Sequence, residues 1–238
     1  RSTPSSTLFP YTTLFRSVIH WSFNDGHGNT STANQNVIIH DVTAPVVPVL
    51  ADVTGECSAT ATAPTATDNC VGTVPGTTSD ALSYNTQGTH VIHWTFDDGH
   101  GNTSTANQNV IIHDATAPVV PVLADVTGEC SATVTAPTAT DNCVGSVTGT
   151  TSDPLSYTAQ GTYTVTWTYS DGNGNSSTQT QTVIVKDVTK PVPDVASLPD
   201  VTGECSATIG AAPKATDNCV GSVTGTTSDP LSYTAQGT

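Results

Sequence analysis

Methionine is absent from the 238 residues, and only five basic side chains, Arg1, Arg16, Lys186, Lys190 and Lys214, stand against 20 acids. Phosphate backbones and anionic headgroups are held by clustered Lys and Arg, so a formal charge of -15 argues against nucleic acid and acidic membranes as partners. No apolar run approaches the roughly 20 residues that cross a bilayer as a helix. No segment carries a convincing helical hydrophobic period either. Catalytic signatures are missing too: there is no Gly-x-Ser-x-Gly elbow, no His-Glu-x-x-His and no phosphate loop.

What is present is repetition. Asp41, Asp114 and Asp187 each open a copy of one pattern, a period of 73 residues. Its landmarks are Asp-x-Thr-x-Pro, Val-Thr-Gly-Glu-Cys, Ala-Thr-Asp-Asn-Cys, a Tyr-containing turn, a Trp strand and Asp-Gly-x-Gly-Asn. Residues 42–114 and 115–187 form complete copies. Residues 188–238 form a copy that lacks its last two strands, and 18–41 supply only the closing hairpin of an earlier one. Thr7 to Ser17 resembles the in-frame translation of a sequencing adapter, so residues 1–17 are set aside as a scar and expected to be disordered. The array reads as a piece of something longer, with an open sheet edge at one end and a spare hairpin at the other. Unpaired edges recruit strands from other chains, so head-to-tail association is expected.

The strand signal is clearest at Tyr163 to Tyr169, where Tyr163, Val165, Trp167 and Tyr169 alternate with threonines. The Asp171 to Asn175 turn then leads into Val183, Ile184 and Val185, which predicts a hairpin. Short strands with frequent turns in units of this size predict all-β, immunoglobulin-like sandwiches in tandem. Trp21, Trp94 and Trp167 take inward positions. Such small cores are marginal alone, and the six cysteines answer that weakness. Six allow 15 pairings, yet each copy has its own pair at nearly constant spacing, which favours Cys57 with Cys70, Cys130 with Cys143 and Cys205 with Cys219. The chain-entropy model gives about 3 kcal/mol for loops of this size. A zinc site is the competing reading, but no Cys-x-x-Cys or fixed His accompanies each pair. Bridges of this kind imply an oxidising, extracellular setting.

Together these motifs, with Cys-Ser-Ala-Thr-Val-Thr and Thr-Val-Thr-Trp-Thr-Tyr in the third copy, resemble the hyalin repeat (HYR) of the immunoglobulin-like superfamily, over Val18 to Thr238. That family occurs in long secreted and surface proteins of bacteria. The resemblance implies a cell-adhesion or stalk role and no catalytic residue. Two further cysteines common in the family are missing here, at Val122 and Gln179.

Asp-Gly-x-Gly-Asn admits two readings. It is a turn, since Gly and Asn tolerate positive φ and Asp caps its own backbone. It is also a source of oxygen ligands for calcium: an immunoglobulin-like topology brings Asp41 beside Asp97, Asp98 and Asn102, and Asp114 beside Asp171, Asn173 and Asn175. Asp68-Asn69 and Asp141-Asn142 would join them if a full strand carried the chain away from Cys57 and Cys130. Local bridges need α-carbons within about 7 Å, so those bridges reduce both pairs to Asx turns. The seven histidines fall only in the first two copies, which rules out a metal role repeated per copy. Glycan binding would need exposed rings, and Tyr84, Tyr157 and Tyr233 are the candidates. The sequence thus reads as a non-catalytic extracellular spacer of an adhesin-type surface or secreted protein, contacting neighbouring repeats and an unidentified surface ligand. The alternative is an accessory or glycan-binding module of a secreted enzyme.

Overall fold

The computed structural model describes residues 13–234, with side chains from residue 16 onward. Every regular element among them is a β-strand, and no helix is long and apolar enough to cross a membrane. The chain divides into two compact units, residues 1–116 and 117–238. The first holds the leading hairpin and the second copy; the other holds the third and fourth copies.

The third copy shows the plan. Its long hairpin pairs Gly161–Ser170 with Ser176–Val185, and Val126–Gly128 adds to Ser176–Val185 in parallel. Facing it, Ala132–Thr133 pairs with Ser156–Tyr157, and Thr138–Asp141 pairs with Gly145–Thr148. Isolated bridges tie Val119 to Thr140 and Thr150 to Thr168. Val165, Trp167 and Tyr169 of the hairpin meet Val134, Ala139 and Val147 of the opposite layer in one core. The predicted alternation is met: every second residue of Gly161–Ser170 from Val165 onward is buried. The buried Trp167 indole donates to Gln181 at 3.1 Å, so its polar edge is satisfied. The second copy repeats this with Ile92, Trp94 and Phe96 against Ala61, Ala66 and Val74, and Trp94 donates to Gln108 at 3.0 Å.

The two incomplete copies differ from expectation in instructive ways. Trp21, expected to point inward, is 48% exposed where Trp94 is 2% exposed. Its hairpin, Thr13–Asn24 with Thr30–His40, pairs in the same register but has no opposing layer among the described residues. Residues 13–17, set aside as disordered, are strand residues that pair across to His40, Ile39, Ile38 and Val37. Backbone pairing needs only a β-compatible run beside an open strand, and Thr-Leu-Phe-Arg-Ser meets that need. The remainder of the proposed scar, residues 1–12, lies outside the described residues.

Ile92 in the second copy is fully buried, whereas Ile19 at the matching hairpin position is exposed. Ile92→Ala should therefore cost the second copy about 2 to 5 kcal/mol. Ile19→Ala should change stability by less than about 0.5 kcal/mol in dilute, reduced protein. Urea denaturation of the two variants checks this difference.

Candidate functional site

Two short strands with a connecting stretch between them act as a strut in the complete copies. From Cys130 the chain runs through Ala132–Thr133 and Thr138–Asp141 to the tight turn before Gly145. Gly128, two residues before Cys130, pairs with Val185 at one end of the long hairpin, whereas Thr140, three residues before Cys143, bridges Val119, next to the Pro118 carbonyl that accepts from Ser177 at the other end; a disulfide needs α-carbons within about 7 Å. Cys130 and Cys143 thus sit at opposite ends of one sandwich. The structure joins Cys130 instead to Cys219 of the following copy, with α-carbons 4.9 Å apart and a sequence separation of 89. Cys57 and Cys143 are also disulfide-bonded, while Cys70 and Cys205 are free and exposed thiols. The expected local bridges Cys57 to Cys70, Cys130 to Cys143 and Cys205 to Cys219 are therefore corrected.

The residue before the cysteine completes the joint. Glu129 accepts hydrogen bonds from Thr189 Oγ1 at 2.8 Å and Asn218 Nδ2 at 2.6 Å, both from the fourth copy. Those donors belong to Asp-x-Thr-x-Pro and Asp-Asn-Cys, so three of the repeated motifs meet at one place. Gln160 locks the linker: its Nε2 donates to the Glu129 carbonyl at 2.7 Å and its Oε1 accepts from Asp187 N at 2.7 Å. The first unit shows the same linker contacts. Thr116 Oγ1 donates to Glu56 at 2.8 Å, Asp114 N to Gln87 at 2.9 Å, and Gln87 to the Glu56 carbonyl at 2.9 Å. The Gly in Val-Thr-Gly-Glu-Cys is required sterically, because a β-carbon at Gly128 would sit 1.9 Å from the Ser131 carbonyl oxygen.

At the amino-terminal end of the second copy lies an acidic cluster. Ligating atoms of Asp41, Asp68 and Cys70 fall within 4.8 Å of one another. Asp41 is 1% exposed and Asp68 8%. Asp41 Oδ1 accepts from Thr43 N at 3.1 Å; Asp68 Oδ1 accepts from Cys70 N at 2.8 Å and Val71 N at 3.0 Å. The Oδ2 atom of each is buried without a hydrogen-bond partner. Desolvation of the sulfur, then the charge of Asp41 and a side-chain hydrogen bond to it, then the charges of Asp68 and Asp98, push the Cys70 thiol pKa up. Asp68 is thus both the Asx turn expected of it and a member of the cluster, the role the assumed local bridge had removed.

The predicted calcium ligands separate into two groups. Asp41 is in the cluster, and Asn102 Nδ2 reaches its carbonyl at 3.4 Å. Asp98 is buried but committed to its own turn: Oδ1 accepts from His100 N at 2.7 Å and Asn102 N at 3.1 Å, and Oδ2 from Asn102 Nδ2 at 2.7 Å. Burial pushes its pKa up, but those bonds outweigh burial and hold it below the usual carboxylate range. Asp97 is exposed and caps Gly99 N at 2.8 Å. Asp171 accepts from Asn173 N, Asn175 N and Asn175 Nδ2 in the same manner. Asp25 forms this turn in the bare leading hairpin. Gly99 and Gly101 supply the positive φ angles, 77° and 99°. Asp-Gly-x-Gly-Asn thus closes its own turn through the Asp side chain, and in the second copy Asn102 also reaches out of it to the Asp41 carbonyl. Asp114 is buried at the end of the first unit and caps Thr116 N at 3.1 Å, while Asp171, Asn173 and Asn175 belong to the second unit.

The candidate glycan-binding rings are half-buried in the complete copies. Tyr84 stacks on His90 with centroids 4.4 Å apart, and Tyr157 on Tyr163 at 4.5 Å. Tyr233, in the incomplete fourth copy, is 50% exposed.

No family model matches the chain, and no curated protein matches it. Among solved structures it is similar to the extracellular cadherin domains 1–5 of protocadherin gamma B2, at 14% identity and a TM-score of 0.30. The match covers 85% of this chain and 52% of that one, so the chain spans about half the length of that structure.

Two predictions follow from these contacts. Closing a loop of this length is worth roughly 4 to 5 kcal/mol in the chain-entropy model. Cys130→Ser with Cys219→Ser should lower the stability of the 117–238 unit by up to that amount and split its calorimetric transition in two. An unchanged single transition would contradict the assigned joint. The second concerns pH. Because Asp98 has a lowered pKa in the fold, its contribution is full above the unfolded value near 3.9 and fades as pH falls through the folded value. Denaturation between pH 7 and 2.5 should show stability falling below about pH 4, with a flatter acid limb in Asp98→Asn.

Proposed function

We propose that this chain is a run of non-catalytic extracellular spacer repeats from an adhesin-type surface or secreted protein, and that its working parts are the joints. The observation that carries this reading is the Cys130 to Cys219 bridge between successive copies, set beside the Glu129 contacts to Thr189 and Asn218. Disulfides persist in oxidising compartments, which supports a location outside the cytosol. A bridge between modules limits their bending and carries tension past the noncovalent core of each sandwich. Tandem modules with nearest-neighbour contacts suit a stalk that holds a binding tip away from a surface. The hyalin-repeat assignment is part of the same proposal, supported by the order of motifs and by their use at the joint.

Calcium at the Asp41 and Asp68 pair is the second part. Two buried carboxylates, each with an oxygen lacking a donor, fit a hard cation that takes oxygen ligands. Zinc would recruit the thiol. Cys143, which occupies the position of Cys70 in the third copy, is disulfide-bonded, and Asp141 there still keeps a buried Oδ2 without a partner. The donor set common to both copies is oxygen. Bound Ca²⁺ would neutralise the paired charges; Asp41 and Asp68 would hold it, and Asn102 would position the linker through the Asp41 carbonyl.

Pulling single molecules tests the spacer reading. In oxidised protein the bridge hides the chain between Cys130 and Cys219 from extension, and reduction should lengthen the unfolding increments by roughly 300 Å. Equal increments with and without reductant would count against a load-bearing joint. For the metal, thermal melts in chelator and in millimolar Ca²⁺ should differ by several degrees, consistent with weak extracellular sites. Asp41→Asn with Asp68→Asn should abolish the difference, and identical melts of the unaltered protein would remove calcium from the account.

A further inference from the structure

One turn differs between the complete copies in a way that changes its chemistry. Thr78-Ser79-Asp80-Ala81-Leu82 of the second copy becomes Thr151-Ser152-Asp153-Pro154-Leu155 in the third. The two turns are built alike. In each, the aspartate N–H donates to the threonine Oγ1 at 3.0 Å, and Oδ2 accepts a backbone N–H of the long hairpin at 2.7 Å, from His93 or from Thr166. Two details separate them. The His93 imidazole adds a second contact to Asp80 Oδ2 at 2.9 Å, where the third copy has no imidazole, and Asp153 is followed by an exposed proline.

We propose that the bond between Asp153 and Pro154 is a self-cleavage site opened by mild acid, and that the Cys130 to Cys219 bridge keeps the two pieces in one molecule. Thr166 N–H holds Oδ2 of Asp153, and Oδ1 accepts no hydrogen bond among the described residues, so a nucleophilic oxygen stands one ring closure from its own carbonyl carbon. Attack within one residue avoids the cost of bringing reactants together. Proline supplies the leaving group: its nitrogen carries no N–H in the peptide and departs as a basic secondary amine. The titratable groups beside the turn are Tyr157, which feels the Asp153 charge, and Tyr163 stacked on it, and tyrosines are neutral in acid. No acid, histidine, lysine or arginine occurs in Ala132–Thr133, Gly145–Thr148 or Gly161–Ser170.

The step balances with water alone. Oδ1 bonds to the Asp153 carbonyl carbon, closing a cyclic anhydride, while the bond from that carbon to Pro154 N breaks. The nitrogen takes one proton from solvent to leave as an amine and a second to become an ammonium. Water then opens the anhydride, which restores the side-chain carboxylate, creates a carboxylate at the new chain end and returns two protons. One water is consumed, and nothing is oxidised or reduced. Attack needs an ionised carboxyl and departure needs a proton, and the two coexist for aspartate around about pH 4. After the cut, Ala132–Thr133 of the first piece still pairs with Ser156–Tyr157 of the second, and Val134 N donates to the Leu155 carbonyl at 2.9 Å. Cys130 lies in the first piece and Cys219 in the second. The third copy then relaxes without parting, a use that rests on the spacer reading although the chemistry does not.

The test holds the full oxidised chain at about pH 4 and about pH 7, then runs reducing and non-reducing gels and weighs the fragments by mass spectrometry. In acid, the reducing gel should show residues 1–153 and 154–238, ending and beginning at Asp153 and Pro154, while the non-reducing gel keeps one intact band. The bond between Asp80 and Ala81 should survive in the same sample. Pro154→Ala, which writes the second copy's turn into the third and leaves Asp153 in place, should lose the cut. Asp153→Glu, whose attack must close a larger ring, should lose it too. An unaltered chain that stays whole at both pH values would overturn the proposal, as would equal cleavage at both, a cut that persists in Pro154→Ala, or cleavage confined to the other Asp-Pro bond, Asp229 to Pro230. Pieces that part without reductant would overturn the tether. Failure of the spacer reading appears in the pulling experiment and leaves these gels unchanged.

Discussion

A run of two short strands, Ala132–Thr133 and Thr138–Asp141 in the third copy, governs this molecule. Such a run separates Glu-Cys from Asp-Asn-Cys in every copy by far more than a disulfide can span, so neither motif can be satisfied inside its own sandwich. Covalent closure therefore passes from one copy to the next, as Cys130 and Cys219 show. The polar contacts follow the same route. Glu129 collects donors from two motifs of the following copy, and Gln160 fixes the linker between them.

The sandwiches themselves are modest. One tryptophan, one further aromatic (Phe96 or Tyr169), a few branched residues and small alanines make up each complete core, and domains of this size bury too little surface to be strongly stable alone. A bridge between neighbours stabilises two such cores at once and makes their relative position part of the fold. The buried acids oppose this. Asp41 and Asp68 lie together with unpartnered oxygens, and burying charge without compensation is costly. That cost is the ground on which calcium is proposed at this cluster.

Much of this was legible in the residues. Alternation in Gly161–Ser170 gave the strand and its inward face, because a period of two maps directly onto a pleated sheet. The Asp-Gly-x-Gly-Asn turn was equally readable, since its hydrogen bonds are local and recur even in the bare hairpin at Asp25. Cysteine pairing was not. Spacing and loop entropy favour near neighbours, and neither sees that the two short strands between the cysteines carry them to opposite ends of a sandwich. The conflict was already visible in the tension between a full strand from Cys57 and a bond to Cys70, and resolving it the other way would have kept Asp68 in the cluster. Trp21 was misplaced for a different reason. Its strand pattern encodes an inward face, but burial also needs the opposing layer, which its copy lacks among the described residues.

The central claim is that the bridge crosses from copy to copy. Proteolysis of the oxidised protein without reductant, followed by mass spectrometry of the linked peptides, tests it most directly. The account predicts a peptide joining Cys130 to Cys219 and none joining Cys130 to Cys143. Recovery of Cys130 linked to Cys143 within one copy would contradict it.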